Sequence, residues 1–462
     1  MHRRSIVPRR RHVSTDKIAR RLFTAQVAPA TQSADKPALP KEPVQVSKLS
    51  NGLTVASVEN HSPISRIGLL VNAGSRYEST ANQGISHCLR SYAHLTTKNA
   101  TTFNITRGLD DLGASLEATT TRDHMMYSVQ CLRGHLDQGA AFLQNATTGQ
   151  QFRPWELKDN RQRLYFDLAS IKNQLQIEVL ENLHSAAFRD TLGRSLYAPE
   201  YMVEKISTEM LMDWVNNMYT AENMALVGVG VGHDELKAFG ENFELKTGPR
   251  NEMPAAKYAG GEIRKQQNSG FAYAAVGVQG AKLNSKELLS LGVLQHLMGT
   301  GPYIKWGSQI ASSKLTQAAA AATTVPFSAS CFNMSYSDSG LFGMFAITHA
   351  DQMGAMLKSM MKQFGAVTKG NMDAADITRA KNQLKAAILM NLENQSTLLE
   401  DIGVQSLMNG SYVSSADLVN DIDAITGDDA VKIAKKIFNG KMSMAASGDL
   451  GNTPYLDQLL SA

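Results

Sequence analysis

QGISHCLRSYAHLTTK, residues Gln83 to Lys98, carries its apolar side chains at helical spacing: Ile85, Cys88, Leu89, Tyr92 and Ala93 fall at i, i+3, i+4, i+7 and i+8. The spacing predicts an amphipathic helix whose polar side presents His87, Arg90, Ser91 and His94. A zinc-peptidase helix needs two histidines four residues apart, because one turn then brings both imidazoles onto one ion, about 2.0 Å from each nitrogen. Here the residue four after His87 is Ser91. In the inverted motif, H-x-x-E-H, a Glu that polarises the attacking water precedes the second His. That slot holds Arg90, whose guanidinium is neither a base nor a ligand at neutral pH. Pairing His87 with His94 does not rescue the site. A rise of about 1.5 Å per residue sets them roughly 10 Å apart along a helix axis. The pattern therefore predicts a surface or hydrogen-bonded His87 and no bound metal.

Outward from this stretch the order of segments becomes informative. Upstream, Ile67, Leu69, Val71 and Ala73 alternate with period two, as a strand does, and lead into AGSRYES. Downstream come LDDLGASLEATTTRDHMMYSV and GRSLYAPEYMVEKIS. Together these resemble the N-terminal half of the pitrilysin and mitochondrial processing peptidase family. Active members of that family carry H-x-x-E-H between a G-S-R-x-E turn and an N-A-x-T-x-R-E strand. The resemblance implies that His87 keeps the first zinc position, that Arg90 and Ser91 replace the Glu and the second His, and that Asp167 in LYFDLAS stands near the third ligand. The N-A pair reads Glu117 and Ala118.

The composition is that of an ordinary globular chain of 462 residues, enough for two or three cores. Cys88, Cys131 and Cys331 are odd in number, far apart and without a C-x-x-C pair, which argues against disulfides and a thiolate zinc site. Cys88, on the apolar side of the helix, is expected to be a buried small hydrophobe. Residues 1–23 hold eight Lys or Arg and one Asp, a charge of +7 against +4 for the whole chain, so the remainder stands at −3. An Arg-rich, acid-poor start with Ile18, Ala19, Leu22 and Phe23 set against Lys17, Arg20 and Arg21 predicts a mitochondrial transit peptide, cleaved near Phe23 and Thr24. The alternative is a solvated basic tail or a nucleic-acid arm, but no basic face follows in the body for it to join, and no nucleic-acid partner is expected. Residues 24–45 read as a flexible lead-in. No apolar run reaches about 18 residues, so membrane association is expected only through partners.

The body divides at 243–262, FELKTGPRNEMPAAKYAGGE, which reads as a linker between domains at 46–242 and 263–462. The first domain opens at Leu49 to Val55, where Asn51-Gly52 predicts a hairpin turn with positive φ. It contains a long helical stretch from Trp155 to Arg189 and closes at MALVGVG, residues 224–230. After the linker the order returns: the strand FAYAAVGVQG, the helix SKELLSLGVLQHLMG, a strand pair through MSYSDSGLFGMFAI, and a long helix from Met372 to about Met408. Met224 and Gly228 match Met444 and Gly448 at a shift of 220 residues. The pattern predicts a duplication, an α+β fold of two repeated domains, each a mostly antiparallel mixed sheet with helices packed on one face.

The second copy offers no replacement site. Its equivalent helix has a lone His296 and no acid on that turn, and Gly292, Gly299 and Gly301 lack the rest of a phosphate loop, so they read as a helix terminus. Many active family members place Arg-x-x-x-Gly-Leu-x-Tyr here, and SSKLTQAAAAA has neither Arg nor Tyr. Three functions stay open: a structural subunit of a respiratory complex, a peptidase subunit whose partner supplies zinc, and a matrix protein binding extended peptides at a sheet edge.

The second half, with SSKLTQAAAAATTVPFSASCFNMSYSDSGLFGMF and KMSMAASGDLGNTPYLDQLL, resembles the branch of the family that forms the core subunits of mitochondrial ubiquinol-cytochrome c reductase, complex III. That resemblance implies a non-catalytic chain on the matrix side of the inner membrane. Its partners would be core protein 1, cytochrome b, cytochrome c1 and the iron-sulfur protein, and the cleaved iron-sulfur presequence is an implied ligand of the cavity between core subunits. No cofactor is expected. The sequence has no C-x-x-C-H for haem and no clustered Cys for an iron-sulfur centre.

Overall fold

The structure is a computed structural model and describes residues 42–301 and 313–461. The expected transit peptide and the lead-in as far as residue 41 lie outside the described residues. In chain order the first half holds β1 (Gln45–Lys48), β2 (Thr54–Val58), β3 (Ile64–Val71), α1 (Ile85–Ser91), α2 (Thr102–Leu112), β4 (Ser115–Thr120), β5 (Met125–Leu132), α3 (Leu136–Thr148), α4 (Pro154–Lys172), α5 (Leu175–Phe188), α6 (Thr208–Met218), β6 (Met224–Val229) and α7 (His233–Asn242). The second holds β7 (Glu262–Gln266), β8 (Phe271–Gln279), α8 (Glu287–Met298), α9 (Lys314–Ala322), β9 (Ser328–Ser335), β10 (Gly340–His349), α10 (Met353–Thr368), α11 (Ala374–Glu393), α12 (Gln395–Asn409), α13 (Ser415–Ala424), α14 (Gly427–Phe438), β11 (Met442–Gly448) and α15 (Leu456–Leu460). Residues 243–261 carry neither helix nor strand of this set, and Glu262 opens β7.

The strands form two sheets that share one five-stranded topology, to which the first adds β1 at its edge. The first runs β1-β2-β6-β3-β5-β4 and the second β7-β11-β8-β10-β9. In each, one parallel pair, β2 with β6 and β7 with β11, joins an otherwise antiparallel ladder. The match between β6 and β11 seen in the sequence is thus a match in sheet position. The opening hairpin pairs Lys48 with Thr54. Its turn takes positive φ at Gly52 alone (φ +95°), while the Asn51 side chain accepts from Leu53 N at 3.0 Å.

The two long helices read from the sequence are both broken, and at equivalent places. α4 ends at Lys172 and α5 begins at Leu175; α11 ends at Glu393 and α12 begins at Gln395. Asn394 takes an extended conformation (φ −80°, ψ 120°) and its side chain accepts from Ser396 N at 2.9 Å, capping the new helix. Each break redirects the chain onto the other half's sheet. Leu398, Leu399 and Ile402 of α12 pack on Val58, Leu70 and Val227 of the first sheet. Val179, Leu183 and Ala187 of α5 pack on Ala275, Leu341 and Ala445 of the second. The approach is close: a Cβ at Gly68 of β3 would lie 2.6 Å from Leu399 Cδ2.

This exchange explains why β3 is buried along both faces. Ile67, Leu69 and Val71, the alternating set, join α1, α2, α3 and α6 in one core, while Leu70 meets α12 in another. Each half therefore places its own helices on one face of its sheet and receives a single helix from the other half on the opposite face.

Polar groups tie the halves together at two hairpin tips. Arg76, with a fully buried side chain, donates from Nη1 to Asp123 Oδ1 (2.6 Å) and Ser337 Oγ (2.8 Å) and from Nη2 to Asp338 Oδ2 (2.8 Å) and the Pro254 carbonyl (2.7 Å). Asp123 lies in the β4–β5 turn and Asp338 in the β9–β10 turn. Ser337 N donates to Asp123 Oδ2 at 2.9 Å. Beside this cluster Arg122 bridges to Glu181 of α5 at 2.8 Å, and His184 of the same helix contacts the Tyr336 hydroxyl at 2.7 Å.

Candidate functional site

The helix that organises the sequence is shorter than its apolar period suggests. α1 ends at Ser91, and Tyr92 leaves helical geometry at φ −97°, ψ 6°. Tertiary pairing claims the residues beyond it. Thr97 forms a β-bridge with Gln150, and Lys98 N donates to the Gly149 carbonyl at 2.8 Å. At the other end Gly84 is left-handed (φ +82°), and a Cβ there would lie 2.3 Å from Ala198 Cα, so only glycine fits. The buried Glu78 carboxylate accepts from Gly84 N (2.7 Å) and Ser86 N (3.0 Å), satisfying free N–H groups of the first turn. Burial nonetheless pushes Glu78 up to about 7, against the pull of those donors.

Both sides of α1 are buried, which corrects the expectation of a solvent-facing polar side. Cys88 is buried as expected, but so are Ser86, His87 and Ser91. The sequence gives no sign of this, because the cover comes from residues over a hundred positions away. Ala198 N donates to His87 Nδ1 at 3.3 Å, and the Tyr197 ring meets the imidazole edge-on at 5.7 Å. The acceptor role of Nδ1 puts the ring proton on Nε2. That nitrogen is buried, lacks a hydrogen-bond partner, and lies 3.8 Å from Asp167 Oδ2 of α4. The fold thus brings His87 and Asp167 together across 80 positions of sequence.

Electrostatics keep this pair from being an ion pair. Burial, and after it the charge of Arg90, lowers His87 to about 3, so its imidazole is neutral at physiological pH. Arg90 is half-buried on the same turn, and Ser91 offers only a hydroxyl. A zinc site takes three or four N, S or O ligands. Here one imidazole and one carboxylate stand beside a guanidinium, a donor set that does not fit the ion. Among the described residues no group of three or more His, Cys, Asp or Glu is placed to hold a metal. His94 lies beyond the end of α1, and burial lowers its pKa, with Arg163 adding to the effect.

In the second half, α8 carries His296 half-buried and ends at Gly299, whose φ of +120° and contact with Ser313, 2.4 Å from a built Cβ, belong to a helix terminus. α9 begins after an N-cap at Ser313, and Lys314 pairs with Asp376 at 2.7 Å. Residue 312, the first of the SSKLTQAAAAA stretch, lies outside the described residues.

The sequence reading missed the Arg76 and Arg122 clusters. Arg76 and Arg122-Asp123 were visible only as parts of a turn and a strand. Nothing local marks their partners at 336–338, which come from the other half of the chain.

Comparison with known proteins matches two consecutive parts of the chain, which meet near residue 200. Residues 54–200 match the family described as insulinase, peptidase family M16, and residues 205–384 match the peptidase M16 inactive domain. The mitochondrial cytochrome b-c1 complex subunit 2 of Homo sapiens is 43% identical over 443 residues, covering 95% of this chain and 98% of the relative. The mitochondrial-processing peptidase subunit alpha of Solanum tuberosum is 31% identical over 424 residues, covering 90% of this chain and 84% of the relative. The corresponding subunit beta of Bos taurus is 29% identical over 449 residues, 94% and 90% of the two chains.

Proposed function

The chain belongs to peptidase family M16, the insulinase family, and from that premise we propose that it is core subunit 2 of mitochondrial ubiquinol-cytochrome c reductase, a non-catalytic chain that supports assembly and stability of the cytochrome b-c1 complex. The observation that carries this is the state of α1 and its surroundings in a chain so similar, end to end, to a cytochrome b-c1 subunit. His87 and Asp167 are still side by side, but Arg90 and Ser91 stand where a base and a second imidazole would be needed. His87, Arg90, Ser91 and Asp167 are thus the positions of a degenerate zinc-peptidase site. With Arg90 in place of the motif's Glu, the helix itself supplies no general base, and with Ser91 in place of the second His it supplies no second imidazole to hold the ion that would activate a water.

The role of such a chain lies in surfaces. No helix among the described residues is long and apolar enough to cross a membrane, so attachment to the inner membrane runs through partners: core protein 1, cytochrome b, cytochrome c1 and the iron-sulfur protein, with this chain on the matrix side. Permanent assemblies of this kind bury roughly 2,000 Å² or more. The domains proposed at 46–242 and 263–462, joined by the 243–262 linker, then act as one scaffold, with the leader 1–23 removed on import. The iron-sulfur presequence is the proposed ligand of the cavity shared with core protein 1.

Depleting the chain tests the proposal. Native gels should lose assembled complex III and its ubiquinol-cytochrome c activity, while matrix presequence cleavage continues. Accumulation of uncleaved precursors with complex III unchanged at early times would overturn it in favour of a non-catalytic subunit of a presequence peptidase, the reading supported by the processing-peptidase relatives.

A further inference from the structure

α10 and α14 lie side by side on one face of the second sheet, with the rings of Phe364 and Phe438 5.6 Å apart between centroids. Their buried residues, such as Met360 and Phe364 on α10 and Ile433 and Ile437 on α14, point to the sheet. Their opposite faces point to solvent. That outer layer carries Lys358, Lys362 and Lys369 on and just beyond α10, and Lys432 and Lys435 on α14. All five are exposed, and none has an ion-pair partner among the described residues; the adjacent Lys436 is held by Glu287 at 2.7 Å. α10 contains no acid. The two acids of α14, Asp428 and Asp429, sit in its first turn, the second within a capping box with Thr426.

The duplication supplies a control. The helices at the equivalent places of the first half are α3, which follows β5 as α10 follows β10, and α6, which precedes β6 as α14 precedes β11. α3 and α6 carry three acids and no Lys or Arg, a net −3. α10 and α14 carry five lysines and two acids, a net +3. Helices at equivalent points of the two halves thus carry opposite charge, so this position in the topology does not by itself call for the lysines. The helix dipole favours Lys369 and Lys435, which sit at helix C-termini, but does not explain Lys358, Lys362 and Lys432, which lie before the last turn of their helices.

The chemistry of the patch selects its partner. A protein interface is built around a desolvated apolar or aromatic centre, and no exposed large hydrophobic residue lies on α10 or α14. Specific phosphate or nucleic-acid recognition favours Arg forks and stacking rings, and the exposed patch has neither. Unpaired lysines on a pair of adjacent helices, free to extend toward a diffuse negative plane, suit the headgroups of an anionic bilayer. We propose that the α10–α14 face is a lipid-facing surface that rests on anionic phospholipid headgroups through Lys358, Lys362, Lys369, Lys432 and Lys435, adding a direct electrostatic contact to the attachment made through partner subunits.

The test uses the purified mature full chain in sedimentation with vesicles of phosphatidylcholine mixed with phosphatidylglycerol and with vesicles of phosphatidylcholine alone. Binding should appear only with the anionic vesicles and fall as salt rises, since surface attraction is screened within a Debye length. Each lysine near such a surface is worth about a fivefold change in partition, so changing all five to Gln should lower binding at least a hundredfold. Changing Glu209 and Asp213 on α6 to Gln should leave it unaltered. Thermal melting of each variant confirms that the fold is retained. Equal binding to both vesicle types, no binding to either, capture of an acidic protein without vesicle binding, or undiminished binding of the five-Gln variant would each overturn the proposal. Because the assay needs no other subunit, its outcome is separate from the assembly test above.

Discussion

Replacing Arg76 by Ala should be the most damaging single polar substitution in the chain. Its side chain is fully buried, and its guanidinium makes four hydrogen bonds at 2.6–2.8 Å, two of them to the carboxylates of Asp123 and Asp338. Those side chains are only 12% and 23% exposed. Alanine would leave two poorly hydrated carboxylates facing each other without their cation, a situation that costs about 3–5 kcal/mol. Lysine restores the charge but not the fork that reaches four acceptors, so Arg76→Lys should recover only part of the loss. Equilibrium urea unfolding followed by circular dichroism gives the stability of each variant. Because the cluster ties the β4–β5 tip to the β9–β10 tip, Arg76→Ala and Asp338→Asn should be strongly non-additive, with a coupling of about 1–3 kcal/mol. A loss below about 1 kcal/mol for Arg76→Ala, or strict additivity with Asp338→Asn, would refute the view that this guanidinium clamps the halves.

The site and the helix exchange lead to three further outcomes. His87, neutral in the fold and lowered to about 3, takes up a proton more readily when unfolded, so its contribution to stability is lost as pH falls below the unfolded value near 6.5; from about pH 7.5 to about pH 5 this amounts to about 2 kcal/mol, and His87→Asn should remove that part of the acid sensitivity in matched urea titrations. Changing Arg90 to Glu together with Ser91 to His rebuilds H-x-x-E-H beside Asp167, and elemental analysis after dialysis should then find about one zinc per chain, against none for the parent or for the same variant carrying His87→Ala. Residues 42–250 expressed alone would lack α12 over Leu70 and Val227 and leave α5 without its sheet; the fragment should bind a hydrophobic dye and aggregate, and a well-folded monomer would contradict the packing described.

Much of this architecture was legible in the sequence because its signals are local or periodic. The alternation at Ile67, Leu69 and Val71 marks a strand, and the 220-residue shift between Met224 and Met444 marks strands of equivalent sheet position. The helix breaks were not legible as breaks. Asn173-Gln174 and Asn394 interrupt apolar periods that continue on either side, because α5 and α12 also carry apolar residues at helical spacing and nothing local says which sheet those residues meet. Asn394 two residues before Ser396 was an available capping signal. At the site, the replaced residues Arg90 and Ser91 could be read directly, whereas the burial of His87 could not. It depends on Tyr197 and Ala198, brought over α1 by an irregular segment. The 3.8 Å approach of Asp167 to His87 was suggested only by resemblance, since helix spacing says nothing about a residue on another helix.

The reciprocal exchange of α5 and α12 has a consequence in time. The last strand of the first sheet ends at Val229, but the helix that covers its outer face is complete only at Asn409, 180 residues later. At a synthesis rate of about 5–20 residues per second, that face waits roughly 10–35 s before its cover exists. During that interval Ala56, Val58, Leu70 and Val227 form an uncovered apolar surface on an already paired sheet. The first half therefore cannot finish folding as it emerges, whether from a ribosome or from a translocation channel. A holding chaperone, or a delay in sheet formation itself, must cover the gap.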